Sequence, residues 1–312
     1  MNKKTVFIDG SAGTTGLRIR ERIGAREDLE LMVLPEEKRK DDAARREALN
    51  SCDIAFLCLP DDAARQAVSM VENPHTVVLD TSTAHRTDPA FAYGFPELSA
   101  AHREKIAAAK RIAVPGCHAG GFIALVYPLV AAGVLRADTR LVCHSLTGYS
   151  GGGKKMIAEY EDSARHTLLQ APRQYGLGQM HKHLPEMTVV TGISRQPAFC
   201  PVVGDFYSGM EVTVPIFREA LCAGKSAQDV RAVYQERYAG RIVFYREDAS
   251  ESGFLSAGAY SGRDCMEISV HGSEEIVLAT ARYDNLGKGA SGAAVECMNL
   301  ALGVPLETGL VL

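Results

Sequence analysis

The sequence predicts an α/β protein: a doubly wound parallel sheet followed by a second, α+β domain built on a mixed or antiparallel sheet. Three observations predict it. Short apolar runs alternate with helix-like segments over the first third of the chain, a glycine-rich turn follows the first run, and beyond residue 117 the runs lengthen and alternate apolar with polar residues. The chain has 312 residues, 46% of them hydrophobic and 23% charged, enough for two cores.

Taken in order, "TVFIDG", "LELMVLP", "CDIAFLCLP", "TVVLDTS" and "RIAVPG" read as buried strands ending in Gly, Pro, Asp or Ser. The crossovers between them are helix candidates at Thr15 to Gly24, Asp41 to Ser51, Asp61 to Val71 and Ser99 to Ala109. The uncharged run from Ala119 to Leu135 is interrupted by glycines and a proline and reads as a buried helix, not a membrane span. "TRLVCHSLTGYS", "HLPEMTVVTGIS", "GMEVTVPIF", "RIVFYRE", "CMEISVHG" and "EEIVLATARYD" follow as strand-like runs of a sheet with one wet face. "NLGKGASGAAVECMNLALG" reads as a glycine-rich loop leading into a helix that packs back on the first domain. The expected division is a nucleotide-binding domain over 1–117, completed by a helix within 290–312, and a catalytic and oligomerisation domain over 118–289.

A formal net charge of -4 with scattered Lys and Arg gives no basic footprint for nucleic acid or a membrane surface, which points to a small-molecule partner. Eight cysteines spread evenly, without a C-x-x-C pair, suit reduced thiols. The apolar stretch after "MNKK" is too short for an export signal, so a cytoplasmic location is expected.

"FIDGSAGTTGLRIRERI" sets Gly10, Gly13 and Gly16 between a strand and an amphipathic helix, the Rossmann-like context in which helix N-terminal amides hold a pyrophosphate. At the end of the second strand, "LPEEKRKD" leaves both dinucleotides open. Glu36 or Glu37 suits a ribose 2′-hydroxyl, whereas Lys38, Arg39 or Lys40 suits the 2′-phosphate of NADP.

In "AVPGCHAGGF", Cys117 follows a strand and a Pro-Gly turn and opens a helix, so it sits at the ligand-binding edge of the sheet, where the helix N-terminus favours thiolate. Nucleophile, buried sulfur and metal ligand are all readings of such a cysteine, and this address favours the nucleophile. A base is at hand in "QMHKHLPEM", where an extended backbone would point His181 and His183 to one side and Glu186 could orient the base or bind substrate. No third ligand joins the pair at zinc spacing, so no metal is expected. "SLTGYSGGGKKM", with Ser145, Thr147, Tyr149, Ser150, Lys154 and Lys155, reads either as a polar pocket wall offering cations to an anion or as a flexible hairpin.

Together, "FIDGSAGTTG", "DTSTAHR", "FPEL", "VPGCHAGGF", "TGYSGGGKKMI", "HKHLPE" and "DNLGKGASGAA" resemble, in order and over nearly the whole chain, the motifs of the N-acetyl-γ-glutamyl-phosphate reductase family, in particular its short (type 2) branch. That resemblance implies the fold of aspartate-semialdehyde dehydrogenase, with a catalytic and dimerisation domain inserted into the nucleotide domain. It implies NADPH-dependent reduction of an acyl phosphate to a semialdehyde in arginine biosynthesis, through a cysteine thioester. Carried over by position, Cys117 is the nucleophile and His181, chosen from the H-x-H pair, the general base. Gly10, Ser11, Ala12, Gly13, Thr14, Thr15 and Gly16 cradle the NADP pyrophosphate, Arg39 serves the 2′-phosphate, and Ser82 and Asn285 lie near the nicotinamide. Arg86, Lys154 and Lys155 are candidate contacts to the substrate anion, with His183, Glu186 and Ser150 as further site residues. A homo-oligomer, dimer or tetramer, is expected. Longer family members carry Tyr-Pro-Thr after the cysteine where this chain has His118, Ala119 and Gly120, which leaves the part of His118 open.

Three other readings share some of these residues. A related reductase acting on an aspartyl or aminoadipyl phosphate would use the same nucleophile and cofactor. A nucleotide sensor would need neither Cys117 nor the histidines. A thiol redox protein would want a resolving cysteine nearer than Cys143.

Overall fold

Strands buried on both faces read as unbroken apolar runs, and the first half of the chain is built from them. The computed structural model describes residues 3–312. Their contacts separate into two units: residues up to Pro96 with Ala100–Pro115 and Ala290–Leu310, and Glu97–Ser99 with Gly116–Gly289 and Val311–Leu312. The first unit contains β1 (Lys4–Asp9), α1 (Thr14–Gly24), β2 (Leu29–Met32), α2 (Asp42–Ser51), β3 (Ile54–Leu57), α3 (Asp61–Met70), β4 (Val77–Asp80), β5 (Ala92–Tyr93), α4 (Ala100–Ala108) and β6 (Arg111–Ala113). Its six-stranded sheet has the order β2-β1-β3-β4-β6-β5 and is parallel throughout. Every residue of β3 and β4 is buried. Strand order reverses beside β1, which opens a crevice at the C-terminal ends of β1 and β3, the place where such sheets bind ligands.

The second unit contains α5 (Cys117–Ala131), β7 (Val142–Gly148), α6 (Gly153–Glu161), β8 (Arg173–Gln174), α7 (Leu184–Thr191), β9 (Ala198–Gly204), β10 (Met210–Phe217), α8 (Ala227–Arg237), β11 (Val243–Tyr245), β12 (Met266–Gly272) and β13 (Ile276–Tyr283). Its seven-stranded mixed sheet runs β11-β12-β13-β10-β7-β9-β8. On β12 and β13, Glu267 and Arg282 stand directly opposite each other, and both side chains are buried. Such a pair persists in an interior only when its remaining donors and acceptors are met. Arg282 donates to Glu267 Oε1 at 2.7 Å and also to Glu251 and the Ala249 carbonyl, while Glu267 Oε2 accepts from Tyr260. After this unit α9 (Gly292–Leu302) places Ala293, Ala294, Val295, Cys297 and Met298 in the core of the first unit with Ile19, Ile23 and Ile106.

The helix α5 is apolar on every face and packs against β10, β13, α7 and α8. Pro128 lies inside it. Proline lacks the N–H that the carbonyl four residues earlier would accept, so Ala124 is left to find another donor. Tyr238, which caps the C-terminus of α8, supplies it, its hydroxyl reaching the Ala124 carbonyl at 2.6 Å, and Tyr234 one turn earlier donates to the Leu125 carbonyl at 2.5 Å. Neither tyrosine meets solvent.

Two expectations from sequence are corrected. "HLPEMTVVTGIS" is not a strand but α7, because Pro185 sits in its first turn, Leu184, Met187 and Thr191 bury one helical face, and Gly192 ends it in the left-handed conformation. Its β-branched Thr188, Val189 and Val190 carry the misleading signal. The segment 181–183 is accordingly a turn and not extended. "SGGGKKM" forms a 3-10 turn over Tyr149–Gly152 and then the start of α6, with Lys154 and Lys155 exposed on it. The two-residue strands β5 and β8 and the seven-residue β9 have no counterpart among the expected strands.

Replacing Tyr238 by Phe strips the Ala124 carbonyl of its donor in a buried place, and the expected loss is about 1–3 kcal/mol in urea unfolding. In a Pro128→Ala background the helix regains its own N–H, so the same substitution should cost markedly less. Equal costs in both backgrounds would show that the tyrosine acts by packing alone.

Candidate active site

In the first unit, Gly10 is held at φ +84, and a Cβ there would come within 2.3 Å of the Cys58 carbonyl oxygen on the turn after β3. A Cβ on Gly16 would fall 2.6 Å from the Gly10 carbonyl. These two glycines therefore let the β1–α1 turn fold against itself. Gly13 differs: a Cβ there meets no protein atom closer than 3.7 Å, and it is exposed with Ala12 at the N-terminus of α1. Its missing side chain leaves the amide end of the helix open to an anion. Gly10, Ser11 and Ala12 line one end of a cleft of about 660 Å³ that continues along Leu31 to Leu34 to Glu36, Glu37, Arg39 and Lys40. The length, the apolar middle and the open helix end fit a dinucleotide. In the same cleft Arg45 is bound to Asp9 at 2.9 Å in a buried ion pair, and of the exposed cations Lys38, Arg39 and Lys40 beyond β2, Arg39 and Lys40 line the cleft.

Ser82 and Arg86 also lie in the first unit. The Ser82 hydroxyl donates to Asp80 at 2.8 Å, and Asp80 also bonds the His85 ring at 2.6 Å. Arg86 is buried and donates to the main-chain carbonyls of Val114 and Thr81, which makes it a brace between the ends of β4 and β6.

In the second unit Cys117 is the first residue of α5, with Gly116 as its N-cap. Three contacts fix this turn. The Gly116 N–H donates to Glu186 Oε1 at 2.8 Å, and the Tyr283 hydroxyl accepts from Gly121 N–H and donates to the Cys117 carbonyl at 2.6 Å. Gly289 backs onto the turn, since a Cβ there would lie 3.2 Å from the Cys117 Cβ. Glu186 thus anchors the start of α5, a role the sequence reading did not assign to it. Cys117 is half-buried, whereas burial pushes the Cys52 and Cys58 thiols up to about 12 and raises that of Cys143 as well.

Next to Cys117, the buried His118 ring gathers the other candidates. Its Nδ1 lies 2.7 Å from Ser145 Oγ and its Nε2 2.6 Å from the Tyr175 hydroxyl. His181 and His183 stand edge-on or tilted to it, ring centres 5.9 and 5.7 Å away, and 4.7 Å from each other. The His183 main-chain N–H donates to His181 Nδ1 at 3.2 Å, which leaves the proton of a neutral His181 on Nε2. Burial first, and then the neighbouring His181, drive the His118 pKa down to about 3, so this ring is neutral. Tyr175 is held a phenol by burial and by Cys117.

Asn285 donates to Ser150 Oγ at 3.0 Å and accepts from Gly209 N–H, so these two expected residues meet. Beside them the Asp284 carboxylate collects the N–H groups of Gly262, Leu286 and Gly287 and the Ser208 hydroxyl, holding the glycine-rich loop. Glu97 of "FPEL" takes both carboxylate oxygens to buried Lys288 of "DNLGKGASG" at 2.9 Å. Sequence reasoning missed Tyr175, whose only signal is a tyrosine beside two glycines, and Tyr283, which reads as one more apolar strand residue.

Residues 5–109 match the family "Semialdehyde dehydrogenase, NAD binding domain" and residues 117–285 "Semialdehyde dehydrogenase, dimerisation domain". N-acetyl-gamma-glutamyl-phosphate reductase of Brucella ovis is 46% identical over 308 residues, covering 96% of this chain and 99% of that protein. N-acetyl-gamma-glutamyl-phosphate reductase 2 of a Nostoc species is 42% identical over 323 residues, covering 99% of this chain and all of the relative, 100%. Among solved structures, aspartate semialdehyde dehydrogenase II of Vibrio cholerae superposes with a TM-score of 0.72 at 16% identity, covering 97% of this chain and 99% of its own. The enzyme of Candida albicans with NADP superposes at 0.66 and 14% identity, covering 99% of each chain. At these identities the structural likeness establishes the fold.

His118 ties stability to pH. Below about pH 6.5 an unfolded histidine binds a proton that the folded ring refuses until the pH nears 3, so the unfolded state holds the extra proton. Stability should therefore rise with pH across that window and be lost as the pH falls, with a slope approaching about 1.4 kcal/mol per pH unit from this residue. Urea unfolding of wild type and His118→Gln between about pH 4 and about pH 7 should show a shallower slope in the variant. Parallel slopes would mean that the ring charges in the folded state.

Proposed function

Since the chain belongs to the N-acetyl-γ-glutamyl-phosphate reductase family, we propose that it catalyses the NADPH-dependent reductive dephosphorylation of N-acetyl-γ-glutamyl phosphate to the semialdehyde, a step of arginine biosynthesis, with Cys117 as nucleophile. The observation that carries the chemistry is the address of Cys117: half-buried at the first position of a buried helix, one residue from a ring that touches both members of the His181–His183 pair. The helix end favours thiolate there.

In this reading the Cys117 sulfur attacks the acyl carbon, a C–S bond forms, the C–O bond to phosphate breaks, and phosphate departs, leaving a thioester on Cys117. His181 offers Nε2–H to the oxygen on which charge develops, and takes a proton there when the reaction runs backward. Main-chain N–H groups of the first turn of α5 face the same developing charge. A nicotinamide dinucleotide, when held by the β1–α1 turn, would supply the hydride for the acyl carbon. Collapse of the resulting thiohemiacetal breaks the C–S bond and returns the Cys117 thiolate.

For the cofactor, Gly10, Ser11, Ala12, Gly13, Thr14, Thr15 and Gly16 would hold the pyrophosphate and Arg39 the 2′-phosphate that distinguishes NADP. Ser82 and Asn285 would serve the nicotinamide end, each already oriented by its own hydrogen bonds. Ser150, which meets Asn285, and the exposed Lys154 and Lys155 are the contacts proposed for the substrate's anionic groups. The family's dimerisation domain spans most of the second unit, which supports a homo-oligomer. No helix among the described residues is long and apolar enough to cross a membrane.

The test runs the reaction backward. N-acetylglutamate semialdehyde, inorganic phosphate and NADP should give phosphate-dependent nicotinamide reduction, and Cys117→Ser should lower the rate by about a thousandfold or more. Arg39→Ser should weaken NADP by about tenfold while leaving NAD unchanged. A wild-type protein that binds NADP yet reduces none with this semialdehyde, but does so with an aspartyl or aminoadipyl one, would move the substrate and keep the chemistry.

A further inference from the structure

Cys117 and the H-x-H pair sit on segments far apart in sequence, and something must fix the distance between them. The residue after the nucleophile does this. His118 bonds Tyr175, and Tyr175 opens the loop that ends in His181 and His183, so one hydrogen bond of 2.6 Å joins the helix of the nucleophile to the loop of the base. We propose that His118 and Tyr175 form a staple between these segments, with His118 a positioning residue that holds the loop and carries no proton of the reaction. This rests on the function proposed above.

Two further features of the loop support the staple. Its near end is tied to β9, since Tyr175 N–H donates to the Pro201 carbonyl at 3.0 Å. Its middle is tied by Gln179, whose side-chain amide pairs with Phe199 as a strand would, donating to the Phe199 carbonyl at 2.7 Å and accepting its N–H at 2.8 Å. Gln179 is held at φ +53 in the left-handed region, which a glutamine adopts only when its surroundings require it. A loop tied at two points on β9 still needs a third tie towards Cys117, and His118 provides it.

The hydrogen bonds of His118 also remove it from proton transfer. A neutral imidazole has one N–H and one lone pair. With Ser145 on Nδ1 and Tyr175 on Nε2, one hydroxyl accepts and the other donates, and no site on the ring remains for a substrate proton. Charging it would bury a cation among Phe199, His181 and His183, in agreement with its depressed pKa. The proton of the reaction is left to the pair on the loop.

The experiment uses the intact enzyme and three variants, Tyr175→Phe, Gln179→Ala and His118→Gln, each checked for a cooperative thermal transition. Two readouts are taken: the phosphate-dependent reduction of NADP, and, with no substrate present, the pH dependence of Cys117 alkylation by iodoacetamide. The titratable groups brought against the first turn of α5 are Tyr175, His181, His183, Glu186, Tyr283 and, on the loop that bears Gly289, Lys288. Of these the Tyr175 and Gln179 variants delete at most one phenol. Each should lower kcat about tenfold to a hundredfold with KM within about threefold, because a base displaced by an ångström loses that much. A fourth protein combining Tyr175→Phe with Gln179→Ala should fall short of the product of the single losses, since both loosen one loop. In each, the alkylation midpoint should rise towards that of an ordinary cysteine. His118→Gln should lower kcat and keep the acid limb of the rate profile. Wild-type kcat and alkylation in Tyr175→Phe and Gln179→Ala, or loss of the acid limb in His118→Gln, would overturn the staple. Absence of turnover in wild type would instead count against the proposed reaction, and the alkylation midpoints would still decide the staple.

Discussion

A helix that is apolar on all sides belongs in an interior, and α5 carries its nucleophile candidate at the one end that is not sealed. Everything else near Cys117 can be understood as a means of holding that end still. Glu186 takes the N–H that precedes it, Tyr283 bridges its first turn, and Gly289 gives the glycine-rich loop room to lie against it. Further along, Pro128 interrupts the ladder and two tyrosines, Tyr234 in α8 and Tyr238 capping it, close the gap. Free amides at a helix start are useful to an anionic reaction only where the turn does not fray, and here the fraying routes are each blocked by a named side chain.

The histidines share one environment but differ in what it makes of them. His118 is saturated by two hydroxyls and kept neutral, whereas His181 accepts a main-chain N–H at Nδ1. Hydrogen bonding, not residue type, separates the two rings. The cleft in the first unit shows a similar division among arginines. Arg45 is consumed by Asp9 inside the fold, and Arg39 remains at the surface beyond β2, where a ligand's charge can meet it.

The fold class was legible because parallel strands and their crossovers impose run lengths and endings that survive in the sequence. The glycine turn was legible because Gly10 and Gly16 answer to backbone atoms a few residues away or on the next strand. The segment after His183 misled because the β-branched run Thr188 to Thr191 carries a strand signal, and only Pro185 and Gly192, at its two ends, announce a helix. Cys117, His181 and His183 stood out by type and spacing. Tyr175, Tyr283 and the part played by Glu186 did not, since each acts through a partner remote in sequence, and pairing across such distances leaves no local pattern. Arg86, a conspicuous cation in a motif, is buried and donates to the carbonyls after two strand ends, a bracing part that its sequence context does not announce.

The bridge at the start of α5 has a bearing on how this sequence can drift. A Cβ on Gly121 would lie 2.5 Å from the Tyr283 hydroxyl, so the glycine exists to make space for the phenol, and the phenol exists to join the turn that the glycine opens. Neither residue can change first without harm: a larger side chain at 121 collides with the ring, and loss of the hydroxyl leaves a cavity where the glycine has no side chain to fill it. The two positions are therefore locked as one inherited unit, one on a helix and one on a strand, and a descendant chain must exchange both together or keep both.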